Sequence, residues 1–353
     1  MTQGKTLFTP GPVPMSEETL RIGGQQVPYF RNKAFSEVVL ECESLLLKLV
    51  GACDGSRVVF ISASGTAAME AAIVNLFSPD SRLLIVNGGA FGQRFCDICS
   101  LHGIEYQPIP AASSEPIDYP EAKADALLIN GHETTTGRLY DLQESGEYCR
   151  SRGMLHVVDG ISMFVTDELD MQRQSIDALI LSSHKGLALP PGLCMVILAP
   201  AALTALRTRP QSYYFNFQPY LTDIKRGQTP FTPTVGIINA LLKRLQQIDR
   251  EGMEQHNKKA RALAARFRSG IASLPLRFFV SDRPNAMTSL ERTDGGDAQQ
   301  LVRELEERYG MVLTPNGGVL ASRVFRVFHM GEQTVEDVDA LLAALTSYFG
   351  GQQ

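Results

Sequence analysis

LILSSHKGLALPPG, residues 179–192, runs apolar from Leu179 to Leu181, passes two serines, a histidine and a lysine, and turns at Pro190-Pro191-Gly192. A short, uninterrupted apolar run of this kind reads as a strand buried on both faces. A lysine at the tip of such a strand is ordinarily a solvated loop residue. The surrounding pattern gives Lys185 a different weight. VVFIS (58–62), RLLIVNG (82–88), ADALLING (124–131), LHVVDG (155–160) and CMVILA (194–199) are similar runs, each with helix-like sequence before or after it. The alternation predicts an α/β fold with a mostly parallel sheet covered by helices on both sides. Ligands of such sheets sit at the carboxyl ends of the strands. Ser64-Gly65-Thr66, Asn87-Gly88, His132–Gly137, Asp159 and Lys185 all fall at those ends.

The 353 residues suggest roughly two domains. The texture changes near residue 235, where one long amphipathic stretch (236–274) begins. Strand-like LRFFV (276–280), helical AQQLVRELEERYG (298–310), strand-like VFRVFHM (324–330) and helical TVEDVDALLAALTSYF (334–349) follow it. This predicts a large domain over 15–250 and a smaller α/β domain over 251–353, joined by a long helix. With 33 basic and 38 acidic residues the net charge is −5, which leaves no electrostatic footprint for nucleic acid or an anionic membrane. Pro190, Pro191, Gly192 and Pro200 divide the uncharged stretch 187–206 into pieces too short to span a bilayer, and MTQGKTLFTPGPVP lacks the apolar core of a signal peptide. Of six cysteines, only Cys96 and Cys99 form a C-x-x-C, inside a helical pattern. They read as buried thiols in a reducing cytoplasm, and no metal site is expected.

Three strand ends carry the chemistry. In ISASGTAAMEAAIVN (61–75) a strand ends, Ser64-Gly65-Thr66 turns, and an alanine-rich helix begins. Free N–H groups, the helix dipole and two hydroxyls there suit a phosphate. Neither G-x-x-x-x-G-K-[ST] nor G-x-G-x-x-G occurs, so a nucleoside triphosphate or a dinucleotide is not indicated. Asp159 ends a second strand, and Lys185 lies 26 residues further on, at the end of a third. A phosphate cradle, a carboxylate and an amine in this order suggest pyridoxal 5′-phosphate. The lysine condenses with its aldehyde, and the carboxylate keeps the pyridine nitrogen protonated.

The full motif set is TPGP (9–12), SASGTAAMEAA (62–72), NGGAFGQR (87–94), GHETTTG (131–137), VVDGIS (157–162), SSHKGLALPPG (182–192), FTPTV (231–235) and FRVFHMG (325–331). With it the chain resembles, over nearly its whole length, the fold-type I, class V aminotransferases. It is similar to the group holding alanine–glyoxylate, serine–pyruvate and 2-aminoethylphosphonate–pyruvate aminotransferases. The resemblance implies that Lys185 is the Schiff-base lysine and proton shuttle, and that Asp159 pairs with the pyridinium. It implies that Ser64, Gly65 and Thr66 hold the phosphate with His184 beside them, where the family often has Gln or Asn. Phe91 takes the place of the stacking aromatic, often Trp or Tyr. Thr134 falls near the cofactor's 3′-oxygen, and Ile161 in VVDGIS borders the cofactor. Thr232 would reach the phosphate of a partner subunit, which makes a homodimer with shared sites. Arg326 would grip the substrate carboxylate. Gly11 and Arg31 fall on the substrate side, Arg31 as the second cation a phosphonate would need. Residues 1–14 are expected near the active site or the small domain.

The implied reaction moves an amino group from a small amino acid, alanine or serine in type, to a 2-oxo acid such as glyoxylate or pyruvate by a ping-pong route. The alternative is 2-aminoethylphosphonate–pyruvate transamination. Desulfurases of this fold need a late nucleophilic cysteine, and here the last cysteine is Cys194.

Overall fold

The structure, a computed structural model, describes residues 4–112 and 114–351; residues 1–3 and 352–353, at the two ends of the expected domains, lie outside them. The first part of the chain runs β1 (Thr6–Leu7), α1 (Glu17–Gly23), α2 (Lys33–Leu49), β2 (Arg57–Ile61), α3 (Gly65–Leu76), β3 (Arg82–Asn87), α4 (Ala90–Leu101) and β4 (Glu105–Pro110). It continues through β5 (Ala126–Asn130), a small hairpin of β6 (His132–Glu133) and β7 (Arg138–Leu139), α5 (Leu142–Arg152), β8 (Leu155–Asp159), β9 (Ala178–Ser182), β10 (Cys194–Leu198), α6 (Pro200–Ala205), α7 (Phe217–Asp223) and α8 (Val235–Glu251). The second part is α9 (Met253–Gly270), β11 (Leu276–Phe278), β12 (Met287–Arg292), α10 (Ala298–Tyr309), β13 (Met311–Val312), β14 (Thr314–Pro315), β15 (Val324–Phe328) and α11 (Val335–Gly350).

The large sheet has seven strands in the order β2-β10-β9-β8-β5-β3-β4. The pairs β9/β8, β8/β5, β5/β3 and β3/β4 are parallel, whereas β10 runs against both β2 and β9. That reversal follows from chain length. Only residues 183–193, eleven of them, join β9 to β10, and a parallel crossover needs a dozen or more. Apolar clusters fill both faces of the sheet, one beneath α2, α5 and α8 and the other beneath α3, α4 and α7. A third cluster lies between a four-stranded antiparallel sheet, β11-β12-β15-β14, and the helices α9, α10 and α11.

Three features depart from the sequence reading. The long helix is two helices, because Gly252 between α8 and α9 takes φ +88°, outside the helical range. β4 carries Pro108 and Pro110 and is mostly exposed, which an edge strand tolerates but which hides it from an apolar-run search. β12 is wholly buried although four of its six residues, Thr288, Ser289, Glu291 and Arg292, are polar.

The amino-terminal segment is stitched along the second sheet. β1 pairs in parallel with β13, Phe8 is fully buried in the third cluster, and the Phe8 carbonyl accepts from Phe328 N at 3.2 Å. The Pro14 carbonyl accepts from Glu332 N at 3.0 Å, and Gln333 Nε2 donates to the Leu7 carbonyl at 2.7 Å. No described helix is long and apolar enough to cross a membrane. All six cysteines are free; Cys96 and Cys99 are buried on α4, and only Cys53 is half-buried.

The edge strand β2 is closed by a side chain. Glu43, buried on α2, accepts from Val58 N at 3.1 Å, from Arg57 Nε at 2.8 Å and from Arg57 Nη2 at 3.2 Å. Glu43→Ala is expected to destabilise the fold by about 2–3 kcal/mol, because it strands a buried N–H and removes the acceptor of Arg57. Glu43→Gln keeps one acceptor oxygen and should lose less. Urea unfolding of the three proteins measures the order; equal midpoints would show that solvent serves this edge equally well.

Candidate active site

The link from β9 to β10 folds over the carboxyl end of the sheet. Ser183 N donates to the Leu193 carbonyl at 3.0 Å, Ser183 Oγ to the Pro190 carbonyl at 2.6 Å and Leu189 N to the Ser183 carbonyl at 3.1 Å. Ala188, at φ +54°, donates its N–H to the Lys185 carbonyl at 2.8 Å. A non-glycine residue in the left-handed region persists only where its surroundings fix it. Lys185 is 7 % exposed, and its ammonium makes no hydrogen bond or ion pair among the described residues. Burial lowers its pKa to about 8. The Asp159 carboxylate opposes the drop, and Arg326 and Arg94 reinforce it.

Asp159 ends β8, in register with Asn130 of β5 and Ile180 of β9. Its Oδ1 accepts from Ile161 N at 2.9 Å. Burial raises its pKa to about 6, against the pull of that N–H and of Lys185. Ser64 caps α3, accepting from Ala67 N at 3.4 Å. A Cβ on Gly65 would stand 2.5 Å from Ile161 Cδ1, so the helix start and the second residue after Asp159 pack as closely as they do only with glycine there. Thr66 Oγ1 accepts from Arg94 Nη1 at 3.0 Å, and the Arg94 guanidinium lies 4.7 Å over the Phe91 ring. His184 Nδ1 is 3.0 Å from Ser182 Oγ, and burial, with Lys185 next, lowers its pKa to about 4. Gly11 packs onto His184, where a Cβ would come within 2.6 Å of Cδ2.

On the other side of Lys185, β15 supplies Arg326. Nη1 donates to the Thr134 carbonyl at 2.9 Å and Nη2 to the Pro315 carbonyl at 2.7 Å, while the buried Nε has no partner. Burial lowers its pKa to about 10, partly offset by Glu133. A guanidinium fixed by two neutral carbonyls and lacking a counter-ion is suited to a carboxylate arriving from outside.

Sequence reasoning passed over three residues here. Glu133 is fully buried. Oε2 accepts from Phe91 N and Gly92 N, each at 3.2 Å, and from Asn130 Nδ2 at 3.0 Å, while Oε1 accepts from Thr135 N at 2.9 Å. It thereby caps α4, whose own N-cap Gly89 offers no side chain. Arg94 braces Phe91 and Thr66, and His132 lies buried on β6, one residue before Glu133. Charged residues at the ends of apolar runs, in GHETTTG and NGGAFGQR, were the available signal.

Two expected residues stand apart from this group within one chain. Arg31 Nη1 donates to Gln228 Oε1 at 3.1 Å and to the Thr229 carbonyl at 2.7 Å, and its guanidinium lies 4.8 Å over Phe30. It fastens the loop that leads to Thr232, which is exposed and makes no hydrogen bond among the described residues.

Buried polar atoms are normally paired. Thr134 Oγ1, Arg326 Nε and both ring nitrogens of His132 are buried without partners among the described residues, and Lys185 is unpaired. Together with the α3 start, the flat face of Phe91 and the Asp159 carboxylate, this group fits pyridoxal 5′-phosphate.

The family model described as Aminotransferase class-V matches residues 26–341. The soluble hydrogenase small subunit of Synechococcus sp. (strain PCC 6716) is 27 % identical to this chain, over 96 % of it and 91 % of the relative. The L-aspartate–glyoxylate aminotransferase of Paracoccus denitrificans (strain Pd 1222) is 28 % identical, over 95 % of this chain and 88 % of its own. The solved structure of an alanine–glyoxylate aminotransferase from Nostoc sp. superposes with a TM-score of 0.91 at 25 % identity, covering 97 % of this chain and 94 % of that one.

The electrostatics of Lys185 can be read directly. Competitive acetylation of the cofactor-free protein, followed by peptide mass spectrometry, should give Lys185 a midpoint near pH 8. Protonation holds the amine unreactive below that midpoint. Asp159→Asn removes the one charge that raises the value, so the midpoint should fall further. A midpoint near 10, ordinary for lysine, would refute the effect of burial.

Proposed function

The chain belongs to the class-V aminotransferases, a pyridoxal-phosphate-dependent family of transaminases, and on that premise we propose that it transfers the amino group of a small amino acid, alanine or serine in type, to glyoxylate or pyruvate. The observation that carries this reading is Arg326, held by two backbone carbonyls and without a counter-ion, across from Lys185. Lys185 feels the charge of Arg326, so a carboxylate taken by the arginine would bring its α-carbon toward the amine. Arg31, the cation a phosphonate would need, is held by Gln228 and Thr229 on the loop that leads to Thr232. Relatives named for glyoxylate support the acceptor.

Bound pyridoxal phosphate supplies an aldehyde carbon that exchanges amines and a ring that draws off electron density from the substrate α-carbon. The N–H groups opening α3, with Ser64 and Thr66, hold the phosphate. Asp159 holds a proton on the pyridine nitrogen; facing that cation, its carboxyl stays ionised. Phe91 presents a flat apolar face, braced from behind by Arg94. Arg326 fixes the carboxylate so that the α-hydrogen faces Lys185. The Lys185 amine, its pKa drawn down to about 8, takes that proton and returns it to the carbon that receives the nitrogen. Water would supply the oxygen of the 2-oxo product as it leaves, the second 2-oxo acid would take the same arginine, and the transfers would run in reverse and return the water, which is a ping-pong cycle.

The working form in this reading is a cytoplasmic homodimer. Thr232 is exposed on a loop fastened by Arg31. A mainly apolar groove lies nearby, lined by Thr19, Val27, Pro190, Val235 and Ile237. Six free cysteines suit a reducing compartment.

Lys185→Ala should abolish turnover and leave the fold intact. Arg326→Ala should lower kcat/KM for alanine and glyoxylate by about 10²-fold or more, the loss of a bidentate carboxylate contact. The holoenzyme is assayed spectroscopically with alanine, serine, aspartate and 2-aminoethylphosphonate. Unchanged kinetics in Arg326→Ala, or reaction with the phosphonate alone, would overturn the reading.

A further inference from the structure

His132 takes no part in the steps above, yet it lies among their charges. It stands on β6, one residue before the carboxylate that caps α4 and two before the carbonyl that holds Arg326. It is 3 % exposed, and neither ring nitrogen has a hydrogen-bond partner among the described residues. The Ser162 backbone is near enough to favour its charged form, by more than either Arg326 or Arg268 opposes it, but forms no well-aligned bond with it. Burial lowers its pKa to about 3; the charge of Lys185 adds to this, and those of Arg326 and Arg268 add less. The ring is neutral at any working pH, lies in the field of three cations and is hydrogen-bonded to none of them.

A neutral imidazole offers one N–H donor and one bare nitrogen. Leaving both unmet in a buried ring is costly, and an apolar residue of similar size would not incur that cost. The ring is satisfied if a polar molecule lies between Lys185 and Arg326. A substrate lies there in the reading above, and this inference rests on that reading. Its carboxylate already faces one full cation. A neutral donor adds a hydrogen bond without crowding a fourth charge into the site. We propose that His132 is a substrate-binding residue whose N–H donates to the carboxylate gripped by Arg326.

The test compares wild type, His132→Leu and His132→Gln as holoenzymes. Propionate, a carboxylate without an amine, is titrated by calorimetry, and KM and kcat are measured with alanine and glyoxylate. His132→Leu should weaken propionate and raise both KM values about tenfold, while kcat and cofactor content hold. Its thermal midpoint should equal or exceed that of wild type, because two unmet polar atoms are gone. His132→Gln, which keeps a donor and an acceptor, should recover most of the affinity. Wild-type propionate affinity in His132→Leu would overturn the proposal and leave the imidazole a structural group, one held by water for example. If His132→Leu loses both stability and affinity, the glutamine variant decides: recovered affinity supports the proposal, and none refutes it. Propionate binding by a wild-type enzyme that exchanges no amino group would instead count against the proposed reaction, because the binding arm needs no turnover.

Discussion

Eleven residues between two neighbouring strands constrain the whole molecule. They are too few to carry a helix across the sheet and back, so β10 must return beside β9 in the opposite sense. The link then has no course except over the strand ends. Ser183 closes it from within through both its backbone and its hydroxyl. Lys185 is thereby pressed against the carboxyl edge of a sheet whose next strand delivers Asp159. The lysine at the tip of a buried strand is a product of connectivity, and its chemistry follows from its burial.

Burial sets the electrostatic character of the site. Removing Asp159 and Lys185 from water moves their pKa values toward each other, one up to about 6 and the other down to about 8. Groups tuned this way change protonation at little cost, as proton transfer near neutrality requires. Glu133 serves a different end. Four N–H donors surround its carboxylate, and its charge anchors the helix that carries Phe91 and Arg94.

Legibility in the sequence followed polarity. β8, β9 and β10 are apolar runs on both faces, and their ends and the residues at those ends could be read directly. β12 was not, because Thr288, Ser289 and Glu291 are buried through pairing rather than through apolarity, and no periodicity announces that. Gly252 looks like any glycine in an amphipathic pattern until its φ is known. At the site, Lys185, Asp159 and the Ser64 turn stood out by residue type at strand ends, and Arg326 as a charge in the middle of the apolar run VFRVF. Glu133 and Arg94 were not, because both act on other side chains and their meaning lies in contacts across distant sequence. The bonds from Arg31 to Gln228 and Thr229 were not legible either, because they join residues nearly two hundred positions apart.

The amino-terminal segment ties the second sheet to the turn that carries Lys185. From Thr6 to Leu7 it is a strand of the second sheet's neighbourhood, and at Pro14 it is bonded to Glu332, just past β15. Between these anchors it passes over the lysine turn, with Gly11 seated against His184. It works as a drawstring. The distance between the arginine-bearing sheet and the amine is thus held by backbone as well as by side chains, along a strap whose two ends are bonded to the one and whose middle lies against the other.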